Sequence, residues 1–95
     1  LAQKLAETGK YNAVICYGTV IRGATRHYKI VADESSRGIM DVMLKTGVPI
    51  LNGILACENA GQAEFRASRK KEDKGKEVAL SALALLSTLS SLRGA

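Results

Sequence analysis

Two short apolar runs flank a stretch with helical spacing, and this pattern predicts the central elements of the chain. Residues 12–17 predict a β-strand, and their continuous apolar run is typical of a sheet buried on both faces. Residues 48–57 predict a second strand, with Pro49 near its beginning, where proline is tolerated. Between them, apolar residues at three- and four-residue spacing predict a helix over about 28–45, punctuated by Gly47. The strand–helix–strand order predicts a right-handed parallel crossover and an α/β fold.

Three further segments have helical patterns. Residues 1–8 predict the end of a helix, stopped by Gly9 as the first residue beyond it. Residues 62–68 predict a short helix, and residues 74–92 a long one. The long helix carries apolar residues on nearly all its faces, and a helix of this kind is buried on several sides. We therefore expect an oligomer.

Composition narrows the class of protein. Ninety-five residues allow one small domain, and no apolar run approaches the twenty residues that a membrane-spanning helix needs. Leu1 begins a helical pattern without a capping residue before it, and two strands alone are seldom stable. We therefore expect an amino-terminal part to be missing, or partner subunits to supply support. We expect a cytoplasmic protein, or a plastid one if a targeting peptide has been removed.

Charge and cysteines exclude some functions. The net charge of +5 is concentrated in a basic loop that contains six Lys and Arg residues between 66 and 76. The simplest interpretation is a solvated loop beside a helix; a nucleic-acid surface would need aromatic stacking residues, and none interleave the charges. Cys16 and Cys57 are far apart and form no C-x-x-C pair, so we expect buried free thiols rather than a redox or metal site.

The strongest functional signal is residues 18–28, GTVIRGATRHY, directly after the first predicted strand. We interpret this segment as the turn at the carboxyl end of a parallel strand, where open α/β sheets bind ligands. Its glycines allow close approach of backbone N–H groups to an anion. His27, the only histidine, is a candidate for proton transfer near neutral pH, although a lone loop histidine can equally be a surface residue. Arg66 is a second candidate, since a guanidinium binds phosphate with two parallel hydrogen bonds.

These residues closely resemble the lumazine synthase family, which carries out the penultimate step of riboflavin biosynthesis. The resemblance extends over essentially all 95 residues. Beyond the segment 18–28 it includes KTGVPI at 45–50, GIL at 53–55, QA at 62–63, RA at 66–67 and KGKEVAL at 74–80. It implies the carboxyl-terminal two-thirds of a three-layer α/β/α domain with a parallel, flavodoxin-like sheet, lacking an amino-terminal strand–helix–strand unit.

The resemblance also implies a reaction and a set of site residues. The family condenses 5-amino-6-ribitylaminouracil with 3,4-dihydroxy-2-butanone 4-phosphate, and releases 6,7-dimethyl-8-ribityllumazine, phosphate and water without a metal or cofactor. By this resemblance His27 transfers protons. The implied substrate-binding residues are Thr19, Val20 and Ile21 at the pyrimidine, Gly23, Ala24, Thr25, Arg66 and Lys74 at the phosphate, and Asn52 near the pyrimidine ring. Homopentamers, in some members stacked into sixty-subunit shells, and small-molecule substrates are implied; nucleic acid and membrane are not.

The chain departs from the family pattern at several positions. Asn52 stands where the family usually has an aromatic residue, and Asp73 replaces the usual Asn before Lys74. Three alternatives therefore stay open: an active enzyme, a ring or cage subunit that has lost efficient chemistry, and a homologue that binds flavin or lumazine without turnover.

Overall fold

A computed structural model describes residues 1–94, and it contains the six predicted elements in their predicted order. They are α1 (Ala2–Glu7), β1 (Val14–Ile21), α2 (His27–Thr46), β2 (Ile50–Cys57), α3 (Ala60–Ala67) and α4 (Lys74–Gly94). The two glycines expected to end helices do so. Gly9 follows α1 with a φ of 71°, and Gly47 caps α2 with a φ of 73°, a left-handed conformation that favours glycine.

The two strands form a parallel sheet in one continuous register. Val14 lies opposite Ile50 at one end, and Ile21 lies opposite Cys57 at the other. The predicted parallel arrangement is confirmed. Both strands therefore finish at the same edge, which we call the carboxyl edge: the ends of β1 and β2 and the residues 22–26 and 58–59 that follow them.

The first strand is longer than predicted, and the prediction that the turn begins at Gly18 is wrong. β1 continues to Ile21, and the ladder extends one step further, where the N–H of Arg22 donates to the carbonyl of Cys57 over 2.8 Å. Thr19, Val20 and Ile21 are β-branched and favour strand geometry once a partner strand is present. The turn between strand and helix is therefore only residues 22–26.

Helices cover both faces of the sheet. Side chains alternate between the faces along a strand. Asn52 hydrogen-bonds Ser36 of α2 on one face, whereas the Tyr17 hydroxyl donates to the carbonyl of Gly75 in α4 over 2.8 Å. The side chains of positions 17 and 52 are on opposite faces because they differ by an odd number of positions in the register. The result is a three-layer α/β/α arrangement with α3 and α4 on one side.

Burial is much lower than the sequence pattern indicates. The buried apolar residues are Ala6, Ile50, Cys57, Ala63 and Ala82. None of the residues of β1 is buried, so the prediction of a strand enclosed on both faces is wrong for the described chain. Within residues 1–94, β1 pairs with one strand, and α2 and α3 make most of their strand contacts with β2. No helix within residues 1–94 has the length and apolar character needed to cross a membrane.

Candidate active site at the carboxyl edge

The turn after β1 delivers His27 to the start of a helix. Arg26 is the N-cap of α2, and His27 is its first residue. The His27 backbone N–H donates to Oγ1 of Thr25 over 3.3 Å, which uses one of the donors that a helix start leaves without a partner. The imidazole is exposed and therefore accessible to a ligand from solvent.

A shallow depression of about 310 Å³ brings together most of the predicted loop residues. Its lining includes His27 and the end of β1, and the residues are Thr19, Val20, Ile21, Gly23, Thr25, His27, Tyr28 and Val31. Six of these were predicted as site residues from the sequence. The depression thus has an imidazole, a hydroxyl and apolar strand residues within one small volume.

A second depression, of about 480 Å³, lies at the same turn and shares Gly23, Thr25 and Tyr28 with the first. Ala24 lines it, together with the cationic side chains of Arg22, Arg26 and Lys29. The positive end of the α2 macrodipole lies here as well, so an anion at this turn is favoured both by the cations and by the helix start.

Arg22 connects the turn after β1 with the turn after β2. Its Nη1 donates to Oε2 of Glu58 over 3.1 Å, and its guanidinium lies 5.5 Å from the ring centroid of Tyr28. The hydrogen bond to Glu58 raises the pKa of Arg22, and the charge interactions with Tyr28 and Glu58 act in the same direction. The backbone of Glu58 is held in turn, because its N–H donates to Oε1 of Gln62 over 2.8 Å.

Arg66 lies on α3 near the end of β2, and it is not among the residues that line the two depressions around the turn 22–26. Its Nη1 donates to the carbonyl of Ala56 over 3.2 Å, and its Nε lies 3.9 Å from Oε2 of Glu72. The side chain is 35% exposed, so part of the guanidinium remains available to an anion.

Lys74 and Asp73 are both engaged at the start of α4. Lys74 Nζ lies 3.3 and 3.2 Å from the two carboxylate oxygens of Glu77. Asp73 has a φ of 45°, and its Oδ1 accepts from the N–H of Lys76 over 3.3 Å. Asp and Asn are the residue types best tolerated at positive φ after glycine, and a negative charge is favourable at a helix start. Asp73, which replaces the Asn usual in the family, therefore has a local structural role at the start of α4.

Asn52 is distant from the turn that carries His27. It lies opposite Cys16, five positions before the end of β2, which corresponds to about 16 Å along the strand. Its Nδ2 donates to Oγ of Ser36 over 3.1 Å, and its Oδ1 accepts from the N–H of Ile54 over 3.0 Å. Both ends of the amide are used in contacts within the chain.

The sequence reasoning missed the contacts that Arg22 makes at the carboxyl edge, with Glu58 after β2 and with Tyr28 in the first turn of α2. Arg22 and Tyr28 belong to the segment 18–28 that drew attention, and Glu58 follows the second predicted strand directly. The opposite charges of Arg22 and Glu58, each directly after one of two parallel strands, were the available signal. No group of three or more His, Cys, Asp and Glu side chains within residues 1–94 could hold a metal ion.

Comparison with known proteins gives one consistent result. A sequence model of the family described as 6,7-dimethyl-8-ribityllumazine synthase matches residues 1–90. Proteins of that name from Xanthomonas oryzae pv. oryzae, Xanthomonas euvesicatoria pv. vesicatoria and Xanthomonas axonopodis pv. citri are each 49% identical to the chain over 88 residues. The alignment covers 93% of this chain and 57% of each relative, so the chain spans less than two thirds of their length.

Proposed function

The chain belongs to the 6,7-dimethyl-8-ribityllumazine synthase family, and from that membership we propose that it forms part of an active enzyme of riboflavin biosynthesis. The enzyme condenses 5-amino-6-ribitylaminouracil with 3,4-dihydroxy-2-butanone 4-phosphate. The products are 6,7-dimethyl-8-ribityllumazine, phosphate and water. A cytoplasmic or plastid location is part of the same proposal.

The observation that supports this activity is the depression shared by His27, Thr25 and the end of β1. The condensation requires two reactants to be aligned, a phosphate to be neutralised and protons to be moved. The imidazole of His27 is exposed at the first residue of α2, so a bound reactant can reach it, and imidazole is the side chain best suited to proton transfer near neutral pH. Thr19, Val20 and Ile21 supply strand backbone and apolar surface beside it, which suits a planar pyrimidine.

The phosphate is proposed to bind at the turn before α2. Gly23 and Ala24 lack large side chains that would block the backbone N–H groups, and Thr25 adds a hydroxyl. A phosphate leaving group accumulates negative charge as its bond to carbon breaks, so preorganised hydrogen-bond donors at this position lower the barrier. His27 gives and takes protons while the imine forms and the phosphate departs.

Arg66 and Lys74 are proposed to reach the phosphate bound by a neighbouring copy in a homopentamer. Pentamers of this kind either remain separate or stack into a sixty-subunit shell. Two observations support an assembly of this kind. Arg66 does not line the depressions near His27 in its own chain, and large apolar side chains of α4 are exposed. A flavodoxin-like sheet, with further strands beside β1, belongs to the same proposal for the longer protein.

A second candidate function is a ring or cage subunit, or a flavin- or lumazine-binding homologue, with little turnover. The contacts of Asn52 favour keeping it, because a hydrogen-bonded amide in place of the family's aromatic residue offers no ring for stacking on a pyrimidine. Asn52 therefore remains a predicted substrate-binding position, but one that cannot stack on the pyrimidine ring.

To test this proposal, both substrates are added to the full-length protein, and formation of lumazine is followed by its absorbance and fluorescence. We expect the parent protein to form lumazine, and we expect His27→Ala to lower kcat by about 10²- to 10⁴-fold, the usual contribution of a proton-transfer group. Lys45→Ala, at the opposite end of α2, is the control and leaves kcat unchanged. Assembly without turnover would favour the cage subunit, and tight flavin binding without turnover the binding protein. Light scattering on the same samples separates a pentamer from a shell.

A further inference from the structure

Arg22 makes three contacts that the proposed chemistry does not use. Its backbone N–H closes the last bond of the β1–β2 ladder, its guanidinium pairs with Glu58, and the same guanidinium lies over the Tyr28 ring. Tyr28 is the residue after His27. One side chain therefore contacts the first turn of α2 and the residue that follows β2.

The contacts of Glu58 extend this connection to α3. The Glu58 N–H donates to Oε1 of Gln62, and the Gln62 N–H donates to Oδ1 of Asn59 over 2.7 Å, which caps the helix. Arg66 lies one helical turn after Gln62. The turn that carries the imidazole and the helix that carries the candidate phosphate-binding arginine are thus connected by this ion pair, in addition to the ladder bond between Arg22 and Cys57.

We propose that Arg22 is a positioning residue for the condensation: through Glu58 and Tyr28 it holds the turn 22–26 and the imidazole of His27 in place relative to β2 and α3. The inference rests on the proposed function for its kinetic consequence. It assigns no substrate contact to Arg22. Its action on the reaction is indirect, through the position of the first turn of α2.

The chemistry of the side chain explains why an arginine suits this position. A guanidinium is planar and charged at every physiological pH, so it can donate to a carboxylate with its edge while its face lies over an aromatic ring. A lysine has no planar face and would keep only the ion pair. The pair with Glu58 is exposed, with side-chain exposures of 55% and 60%, so its effect on overall stability should be small even where its effect on position is large.

The main rival to this inference is direct binding of substrate phosphate by Arg22. Arg22 lines the depression of about 480 Å³ together with Arg26 and Lys29, so a phosphate could be within reach. Glu58 distinguishes the two roles. A phosphate-binding arginine gains anion affinity when its competing carboxylate is removed, whereas a positioning arginine loses its function when Glu58 is neutralised.

The experiment compares Arg22→Gln, Glu58→Gln and the double variant in the full-length protein. We expect each single variant to lower kcat by about tenfold to a hundredfold, the scale that a displacement of about 1 Å produces. The KM for the sugar phosphate stays within about twofold, and the double variant falls no further than the worse single one, as for residues that act through one contact. Arg22→Lys recovers part of the loss, because it restores the ion pair without the contact to Tyr28.

Arg37→Gln is the matched control, since Arg37 forms an exposed pair with Glu34 on the same helix at 3.8 Å. It leaves kcat unchanged, and all variants keep a Tm within about 2 °C of the parent. Unchanged kcat in Arg22→Gln would overturn the inference. So would a tenfold rise in KM for the sugar phosphate in Arg22→Gln while Glu58→Gln lowers that KM.

Crystal structures of the parent protein and of Arg22→Gln test the positioning role of Arg22 without any measurement of activity. The inference requires the His27 imidazole to move by about 1 Å relative to β2 in the variant. An unmoved imidazole overturns it. A parent protein without turnover would refute the proposed function, and the two structures would still show whether Arg22 holds the turn.

Discussion

The carboxyl edge of the sheet and the outward face of α4 differ in whether their side chains have partners within the chain. At the edge, the side chains of Arg22 and Glu58 pair with each other, and Arg66 of α3 donates to the carbonyl of Ala56 near the end of β2. On the outward face of α4, Leu80 and Leu83 are 55% and 65% exposed, whereas Ala82 on the same helix is buried. The comparison shows that contacts local to two neighbouring strands can define a site even where the apolar surface of the same molecule is largely uncovered.

Among the variants that test this comparison, Arg66→Ala has the largest expected effect, and it tests whether Arg66 stabilises a substrate anion electrostatically. Arg66→Ala should lower kcat/KM by about 10²- to 10³-fold, the usual loss on removing one preorganised donor from a developing anion. Arg69→Ala is the matched control, because Arg69 is an exposed cation three residues further along the chain, in the loop that follows α3. Steady-state kinetics on the full-length protein measure both. Equal, small losses in the two variants would mean that the loop contributes only general charge.

A mixing experiment shows which copy supplies Arg66. Assemblies formed from inactive His27→Ala and inactive Arg66→Ala subunits recover turnover if the two residues of one site belong to different subunits, since some sites then contain both intact side chains. No recovery, with mixed assembly verified by native mass spectrometry, would place both residues in one subunit. That result would remove the main argument for a shared site.

The second prediction addresses the outward face of α4. If this face is buried between copies, Leu83→Glu places an unpaired charge in an apolar contact and should shift the assembly toward smaller species at micromolar concentration. Ser81→Glu introduces the same charge at an exposed position on a different side of the helix and should leave the size unchanged. Sedimentation velocity measures both. An unchanged size for Leu83→Glu would mean that the exposed leucines of α4 face solvent in the assembled protein.

The sequence predicted the elements well because their signals are local. Gly9 and Gly47 stop helices through their own backbone freedom, and the strand–helix–strand order alone specifies a parallel pair. The end of β1 was predicted four residues too early, because the pairing of residues 18–21 with β2 is a contact between distant parts of the chain. The ion pair between Arg22 and Glu58 was missed for the same reason. Burial was overestimated because an apolar run shows what can be buried and not what covers it.

The third prediction concerns the contact between the sheet and the inner side of α4. A Cβ at Gly53 would lie 2.8 Å from Cδ1 of Tyr17 and 3.1 Å from the carbonyl oxygen of Cys16. Gly53→Ala should therefore lower the free energy of unfolding by about 1–3 kcal/mol, the usual cost of overpacking. Urea unfolding of the full-length protein measures the loss. A neutral result would mean that the Tyr17 ring moves freely, and that its hydrogen bond to Gly75 does not hold α4.

Gly38→Ala is the control for this substitution. Gly38 lies within α2, and nothing lies within 4 Å of a Cβ built there. The same added methyl group should stabilise the protein by about 0.5–1 kcal/mol through the helix propensity of alanine. Opposite signs at the two glycines would separate the steric effect from any general effect of replacing glycine.

The smallest expected effect returns to the edge and to the carboxylate that competes for Arg66. Glu72 Oε2 lies 3.9 Å from Arg66 Nε, with both side chains about one-third exposed, so the pair contributes at most about 1 kcal/mol. Glu72→Gln frees the guanidinium and should strengthen inhibition by inorganic phosphate by up to about fivefold at low salt, with the gain fading as salt screens the charges. Glu64→Gln removes an exposed charge of the same sign from α3 and should give a smaller gain. If the two variants gain equally, Arg66 is no better placed for an anion than any other cation of the basic loop, and the edge loses its distinction from the rest of the surface.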